Sequence, residues 1–211
     1  MSIYNTARGE TGMELNALNR KIYHMLGGMI TPALCLLFSS RPAMVAISLT
    51  LMVLVLVFEF LRLKAPAFSR WIDAFVPVQI KQSERNKLAG QGYMQIGYFV
   101  VVLLFPRDVA ITAMCFLALG DPLAAIVGMS LGRHKIPGTK KSVEGSLACF
   151  IACLAAGLLI GHAVLALPVW LALFGAALAT GLELANWRID DNFLIPVASA
   201  AGMRIALAVF S

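Results

Sequence analysis

Asp121 interrupts a long apolar run, in the stretch Gly120-Asp121-Pro122-Leu123-Ala124-Ala125-Ile126-Val127-Gly128. If that run crosses a membrane, an unpaired Asp within it costs roughly 2.5 to 3.5 kcal/mol on insertion scales, so the carboxylate needs a cationic partner and a purpose. Just beyond it, the loop Gly132-Arg133-His134-Lys135-Ile136-Pro137-Gly138-Thr139-Lys140-Lys141-Ser142 gathers four cations, a hydroxyl pair and glycines. Such a loop suits a polyphosphate, because lysines supply point charge and a glycine-rich backbone offers amide donors. It is not the soluble nucleotide loop, which needs four residues between its first glycine and the Gly-Lys pair; Gly132 and Gly138 have five between them, and Thr139 precedes Lys140. Gly128 and Gly132, four apart on one helical face, admit a ligand or a second backbone, and plain helix packing is the commoner reason for such a pair.

A second cluster comprises Glu183, Asn186, Arg188, Asp190, Asp191 and Asn192, followed by Pro196. Hard oxygen donors of this kind hold Mg²⁺, which binds through one or two carboxylates plus substrate phosphates. The alternative is a solvated turn in which Asp190 or Asp191 caps the next helix. Glu183, a turn inside the apolar segment, is not explained by capping. Glu59 and Arg62 are spaced for a helix ion pair or for a place at the site. Arg20-Lys21 with His24 either face the site or anchor a helix at the interface, and anchoring is the favoured reading. His134 and His162 have no partner visible in sequence and are not candidate bases. Cys35, Cys115, Cys149 and Cys153 show no metal-ligand spacing and are assigned to packing.

The elements that must position these groups are membrane helices. Of 211 residues 60% are hydrophobic and 13% charged, against about 25% charged in soluble domains. The apolar residues fall in continuous runs near the length of about 20 that crosses a bilayer, and continuity without alternation selects helices over a barrel. The expected fold is all-α and polytopic, with about seven spans at Ile22 to Ser40, Pro42 to Leu61, Gly90 to Phe105, Val109 to Leu131, Gly145 to Leu165, Pro168 to Asn186 and Asn192 to Phe210. One domain, 1–211, accounts for the chain: a polar N-terminal segment 1–21, a loop 62–89 and a functional stretch 120–145. No small-residue cleavage motif follows the first apolar run, so that run reads as a retained span. In Pro66 to Ile80, Phe68, Trp71, Ile72 and Phe75 recur at helical spacing with Arg70 and Asp73 interleaved, the pattern of a helix lying in the interface.

Fourteen of the seventeen Lys and Arg residues fall in the segments that share the N-terminal side; only Arg41, Arg107 and Arg204 do not. Excess cations mark cytoplasmic loops, which places the N-terminus inside. The net charge of +6 then faces an anionic leaflet and needs no nucleic acid to explain it. Glu59, Glu144, Glu183, Asp190 and Asp191 gather on the same side; Asp108 lies outside.

Taken together, Arg20-Lys21-x-x-His24, Glu59-Phe60-Leu61-Arg62, Glu84 to Gly90, Gly120-Asp121-x-x-Ala124 through Gly128 and Gly132, Lys140-Lys141-Ser142-x-Glu144-Gly145, and Glu183 with Asp191-Asn192-x-x-x-Pro196 closely resemble the CTP-dependent lipid-alcohol kinase family of dolichol kinase, phytol kinase and the yeast-type diacylglycerol kinase. The resemblance runs over most of the chain. It implies that the stretch from Asp121 to Gly145 binds CTP and Mg²⁺, with Gly128, Gly132, Lys140, Lys141, Ser142, Glu144 and Gly145 on the nucleotide, and that a lipid hydroxyl accepts the phosphoryl group. The choice of CTP comes from the resemblance alone. The related phosphatidate cytidylyltransferases share the Asp, Gly, Lys-Lys and Glu-Gly stretch but end in a Lys-Arg and Lys-Asp cluster that this chain lacks.

On that resemblance, Asp121 with Asp191, Asn192 or Glu183 is expected to hold Mg²⁺ against the CTP phosphates, while Lys140 and Lys141 neutralise developing charge. Asp121 or Glu183 takes the proton of the lipid hydroxyl, and His24, Glu59 and Arg62 are candidates for the substrate side. The partners are a lipid alcohol, CTP and the bilayer, and a bacterial source would put the enzyme in the inner membrane with its site facing the cytoplasm. The rivals are CDP-diacylglycerol synthesis and, from another class, a transporter or ion pathway. Transport would spread acids through the membrane depth within inverted repeats; here the acids bunch on one side and no repeat is visible.

Overall fold

The computed structural model describes the backbone of residues 2–38, 40–75, 84–185 and 187–210, and the side chains of those ranges except 2–16 and 73–75. Within these residues the helices are α1 (Ser2–Leu37), α2 (Arg41–Lys64), α3 (Pro66–Phe75), α4 (Gly90–Leu104), α5 (Arg107–Ser130), α6 (Val143–His162), α7 (Val169–Leu184) and α8 (Asp191–Phe210). The chain is an all-helical, polytopic membrane protein. By length and hydropathy α2, α5, α6 and α8 suffice to cross a bilayer, and α4 and α7 are apolar but shorter, at 15 and 16 residues. Each of the seven expected segments falls on a helix.

The first helix departs from expectation. It starts at Ser2, not at Ile22, so the polar segment and the apolar run are one 36-residue helix, roughly 54 Å long at 1.5 Å per residue. Once a turn is nucleated by the apolar part, propagation adds one hydrogen bond per residue, and no proline stands before Pro32 to stop it. The amphipathic segment after α2 is a helix from Pro66 to Phe75. Phe68 stacks on Trp71 at 5.9 Å and meets Phe58 edge-on at 5.4 Å, while Ile72 is buried. Its expected extension to Ile80, the side chains of Asp73 and Phe75, and Asn186 lie outside the described residues.

Polar contacts fix the helix directions. Arg62 at the end of α2 reaches the backbone of Lys87 just before α4, and Arg41 at the start of α2 reaches the carbonyls of Leu103 and Phe105 at the end of α4, at 2.7 and 2.9 Å. The two helices therefore run antiparallel. Lys21 meets Asp121 and Arg107 donates to the Leu36 carbonyl at 3.1 Å, so α1 and α5 are antiparallel too. Trp170 against Phe210 sets α7 antiparallel to α8. At one end of the bundle, Arg41 and Arg107 thus bind the last carbonyls of neighbouring helices, a favourable place for a cation. The other end carries Lys21, Glu59, Arg62, Asp121, Lys141, Glu183 and Asp191, with residues 131–142 between α5 and α6.

α5 is the central helix: 72% of its apolar window is buried, against 17% for α2. Ile111, Met114, Phe116 and Leu117 pack there with Met94 and Tyr98 of α4, and the buried Tyr98 hydroxyl donates to the Met114 carbonyl at 3.1 Å. Residues Phe116–Gly120 of α5 form a π-helical turn. Pro122 follows at the start of the regular helix that resumes. Proline has no N–H and crowds the carbonyl four residues back, and a wide turn relieves that conflict.

Candidate active site

The loop expected to cradle phosphate is a tight hairpin. An antiparallel bridge joins Lys135 to Ser142, and Pro137-Gly138 turn the chain with Thr139 N donating to the Ile136 carbonyl at 3.1 Å. Gly138 has φ of 77°, the left-handed value that the third residue of a type II turn needs after proline. The amides of His134, Ile136, Thr139, Lys141 and Val143 are all bonded to acceptors in the hairpin or at the start of α6. These five amides are therefore already used within the fold, and the loop offers an anion its lysine ammonium groups. Ser142 caps α6, its hydroxyl accepting from Gly145 N at 3.2 Å.

The hairpin leans over a cavity of about 460 Å³ at the charged end of the bundle. Lys135, Lys140 and Lys141 come from the hairpin, Asp121 and Gly128 from α5, Ser142, Gly145 and Ser146 from the start of α6, Glu183 from α7, Asp191 from α8 and Lys21 from α1. Two ion pairs cross it. Lys21 Nζ lies 2.7 Å from Asp121 Oδ2, both side chains about one-fifth exposed. Lys141 Nζ lies 3.0 Å from Glu183 Oε1, and the glutamate is only 8% exposed. Its second oxygen, Oε2, is buried with no hydrogen-bond partner among the described residues. Lys135 and Lys140 reach the cavity with no ion-pair partner among the described residues. His24 and Lys141 also act electrostatically on Asp121, as Lys141, Asp121 and Glu183 do on Asp191.

Close packing explains two of the glycines. A Cβ on Gly145 would stand 2.7 Å from the Ala124 carbonyl, and one on Gly128 would meet the Ser142 hydroxyl at 3.3 Å. The two glycines let α5 and α6 touch by their backbones directly under the cavity floor. Gly132 lies outside the cavity wall, with Ser142 Oγ 2.6 Å from the position of its missing Cβ.

Cations facing acids in a cavity at one end of an apolar bundle fit a phosphoryl site at a membrane surface, and relatedness fixes the family. The chain is 30% identical over 156 residues to CTP-dependent diacylglycerol kinase 1 of Schizosaccharomyces pombe, over 67% of this chain and 71% of that protein. The chain belongs to the CTP-dependent lipid-alcohol kinase family. It is also 26% identical over 216 residues to CTP-dependent diacylglycerol kinase 1 of Saccharomyces cerevisiae, over 90% of this chain and 73% of that one. With the probable chloroplastic phytol kinase of Triticum aestivum it shares 29% identity over 214 residues, 92% of this chain and 68% of that one. No family model matches the chain, and no solved structure does.

Within this lipid-alcohol kinase the structure brings together Asp121, Glu183, Asp191, Lys140, Lys141, Ser142, Gly128 and Gly145. Lys21, read as the anchor of α1, instead supplies the cation that Asp121 requires; its spacing of three from His24 puts both on one face of α1. Other expected residues do structural work outside the cavity wall. Glu144 holds the hairpin, accepting from the His134 amide and lying 2.6 Å from His134 Nδ1, so His134 has a partner after all. Asn192 donates through Nδ2 and its backbone N to Asp190 Oδ1, at 2.7 and 3.0 Å, and packs on Gly90. His162 donates from Nδ1 to the Leu167 carbonyl at 2.8 Å.

Glu59 and Arg62 form a buried clamp, 6% and 4% exposed. Arg62 binds both Glu59 oxygens, at 3.0 and 2.7 Å, and the carbonyls of Glu84, Arg85 and Lys87. Glu59 Oε2 also accepts from Ala89 N at 2.9 Å. The pair fixes the entry into α4 and does not line the cavity. Among the described residues no three or more of His, Cys, Asp and Glu converge as a ready-made metal centre. Asp121 and Asp191 on one cavity, with the orphaned Glu183 oxygen beside them, do fit a hard cation whose remaining ligands come with the substrate, the habit of Mg²⁺.

Proposed function

We propose that the chain transfers the γ-phosphoryl group of CTP to the hydroxyl of a membrane lipid alcohol. The carrying observation is the cavity in which lysines from α1 and the hairpin meet Asp121, Glu183 and Asp191, in a chain related to CTP-dependent diacylglycerol kinases and a phytol kinase. Diacylglycerol, a phytol-type prenol and a polyprenol each keep an apolar tail in lipid and offer a hydroxyl at the interface. Met129 at the cavity and Leu131, Val143 and Leu147 near it are exposed apolar residues on which such a tail can lie. The charged end faces the cytoplasm, because fourteen cations belong to the segments on that side.

Phosphoryl transfer needs mainly position and compensating charge. Lys135 and Lys140 receive the triphosphate. Lys141 bridges to Glu183 and neutralises charge that builds on the transferred group. Glu183, on the cavity wall, accepts the proton of the lipid hydroxyl as that oxygen attacks the γ-phosphorus and the bond from it to the β-phosphate oxygen breaks, giving a lipid phosphate and CDP. Lys21 pairs with Asp121 at the cavity, where Asp121 and Asp191 face the phosphates. Mg²⁺, when bound with the nucleotide, supplies further compensation of phosphate charge.

Purified protein in lipid nanodiscs, given γ-labelled CTP or ATP with diacylglycerol, phytol or polyprenol, tests this. Label entering extractable lipid with release of CDP is the expected result. Release of pyrophosphate when phosphatidate replaces the alcohol would instead indicate a cytidylyltransferase, and absence of transfer with solute flux in liposomes a transporter.

A further inference from the structure

A second cavity, of about 330 Å³, adjoins the first, and Asp191 lines both. The rest of its wall is Tyr93 of α4 with Trp187, Arg188, Ile189 and Asp190 from the turn between α7 and α8. The two cavities differ in chemistry. The wall of the first carries ammonium groups, carboxylates, two serines and small or flexible apolar residues, but no aromatic ring. It has charge for a triphosphate and, among the described residues, nothing flat for a base to lie against. The second has two rings, a guanidinium and two carboxylates.

Trp187 is held while half of it stays exposed: Nε1 donates to the Leu182 carbonyl at 3.1 Å, and the residue is 50% exposed. An aromatic face fixed in this way stacks a nucleobase with little ordering cost. Asp190 is also held, since Oδ1 accepts from Asn192 N and Nδ2. Oδ2 takes part in neither bond. A carboxylate oxygen accepts from the exocyclic amine of cytosine, and it meets the carbonyl that uracil carries at the same position with repulsion.

We propose that this cavity is the base subsite of the nucleotide donor. Trp187 stacks on the pyrimidine ring, Asp190 accepts from its exocyclic amine, Arg188 donates to its ring carbonyl, and Asp191 marks the passage to the triphosphate. The assignment rests on the reading of the chain as a CTP-dependent kinase and names residues that tell one base from another.

The test is equilibrium binding of CTP, UTP and inorganic triphosphate to the detergent-purified full chain with no lipid acceptor present, followed by transfer assays. Wild type is expected to prefer CTP over UTP by about tenfold or more. In Asp190→Asn an amide donates where the carboxylate accepted, so that preference disappears or reverses while affinity for inorganic triphosphate is kept. Trp187→Ala weakens CTP roughly 5- to 150-fold and leaves inorganic triphosphate unchanged. Arg188→Ala, a change at an exposed side chain, weakens CTP with the same selectivity and serves if Asp190→Asn disturbs the cap of α8. The proposal is overturned if wild type binds CTP and UTP equally, if Asp190→Asn keeps the wild-type ratio of CTP to UTP, if Trp187→Ala and Arg188→Ala leave CTP binding unchanged, or if the variants lose CTP and inorganic triphosphate together. A wild type that binds CTP selectively yet phosphorylates no lipid alcohol refutes the kinase reading alone. An active wild type whose base preference survives all three substitutions refutes the subsite alone.

Discussion

Lys21 Nζ lies 2.7 Å from Asp121 Oδ2, across 100 residues of sequence. The pair joins the first helix to the central one at the cavity, and each partner answers the cost of the other's burial. An ion pair in this setting punishes removal of one member more than removal of both. Asp121→Asn and Lys21→Met are each expected to lower thermal stability by about 1 to 3 kcal/mol, less than for a fully buried pair. The double variant recovers most of that loss. None of the three regains phosphoryl transfer, so circular dichroism melts and activity part company in the double variant.

The clamp between Glu59 and Arg62 predicts the opposite division. Arg62→Met strands a buried carboxylate and is expected to cost roughly 3 to 5 kcal/mol. Glu59→Gln together with Arg62→Met costs less than Arg62→Met alone. Protein that remains folded keeps its KM for nucleotide, because neither side chain lines the cavity. A KM that rises in folded variants would return the pair to the substrate side.

Neighbouring lysines of the hairpin are expected to behave differently in steady-state kinetics. Lys140→Ala removes a charge with no ion-pair partner among the described residues and raises the nucleotide KM about tenfold, the equivalent of about 1.4 kcal/mol. Lys141→Ala also strands Glu183 and lowers kcat. Equal effects on KM alone would remove Lys141 from the chemistry.

Chelation tests the hard-cation reading of Asp121 and Asp191. Excess EDTA is expected to abolish transfer and added Mg²⁺ to restore it, with thermal stability of the nucleotide-free protein unchanged because no three acids form a centre among the described residues. A chelator-induced drop in melting temperature would show a resident structural metal.

Small residues under the cavity give a packing prediction. Gly145→Ala puts a methyl 2.7 Å from the Ala124 carbonyl, a backbone atom that yields only if the helices part, and is expected to destabilise by about 1 to 3 kcal/mol. Gly128→Ala meets a hydroxyl at 3.3 Å and costs less. Melts of the two variants side by side decide it.

The apolar runs showed the helices in the sequence because hydrophobic length is a local property. The demand of Asp121 for a cation was legible for the same reason: the cost of an unpaired acid depends on its surroundings in lipid. Which cation answers it was not, since Lys21 at a helix end has the pattern of an interface anchor until α1 packs on α5. Glu144 beside Lys140-Lys141 carries the pattern of a nucleotide contact, and only the hairpin shows its carboxylate turned to the His134 amide. Asn192 next to Asp191 reads as a ligand, and the fold shows that its Nδ2 also braces Asp190. Side chains that close a turn or cap a helix occupy the same loops as those that bind a ligand, and residue type does not separate the two roles.

The wide turn at Phe116–Gly120 sets the azimuth of everything after it on α5. A π-helical turn holds one residue more than an α-helical turn, and each residue of a regular helix advances the side chains by about 100°. Removing a single residue from Phe116–Gly120 without moving the helix ends would therefore swing Asp121 roughly a quarter of a circle away from Lys21, and Gly128 away from Gly145. Aim, in this protein, depends on an irregularity in the backbone of its most buried helix.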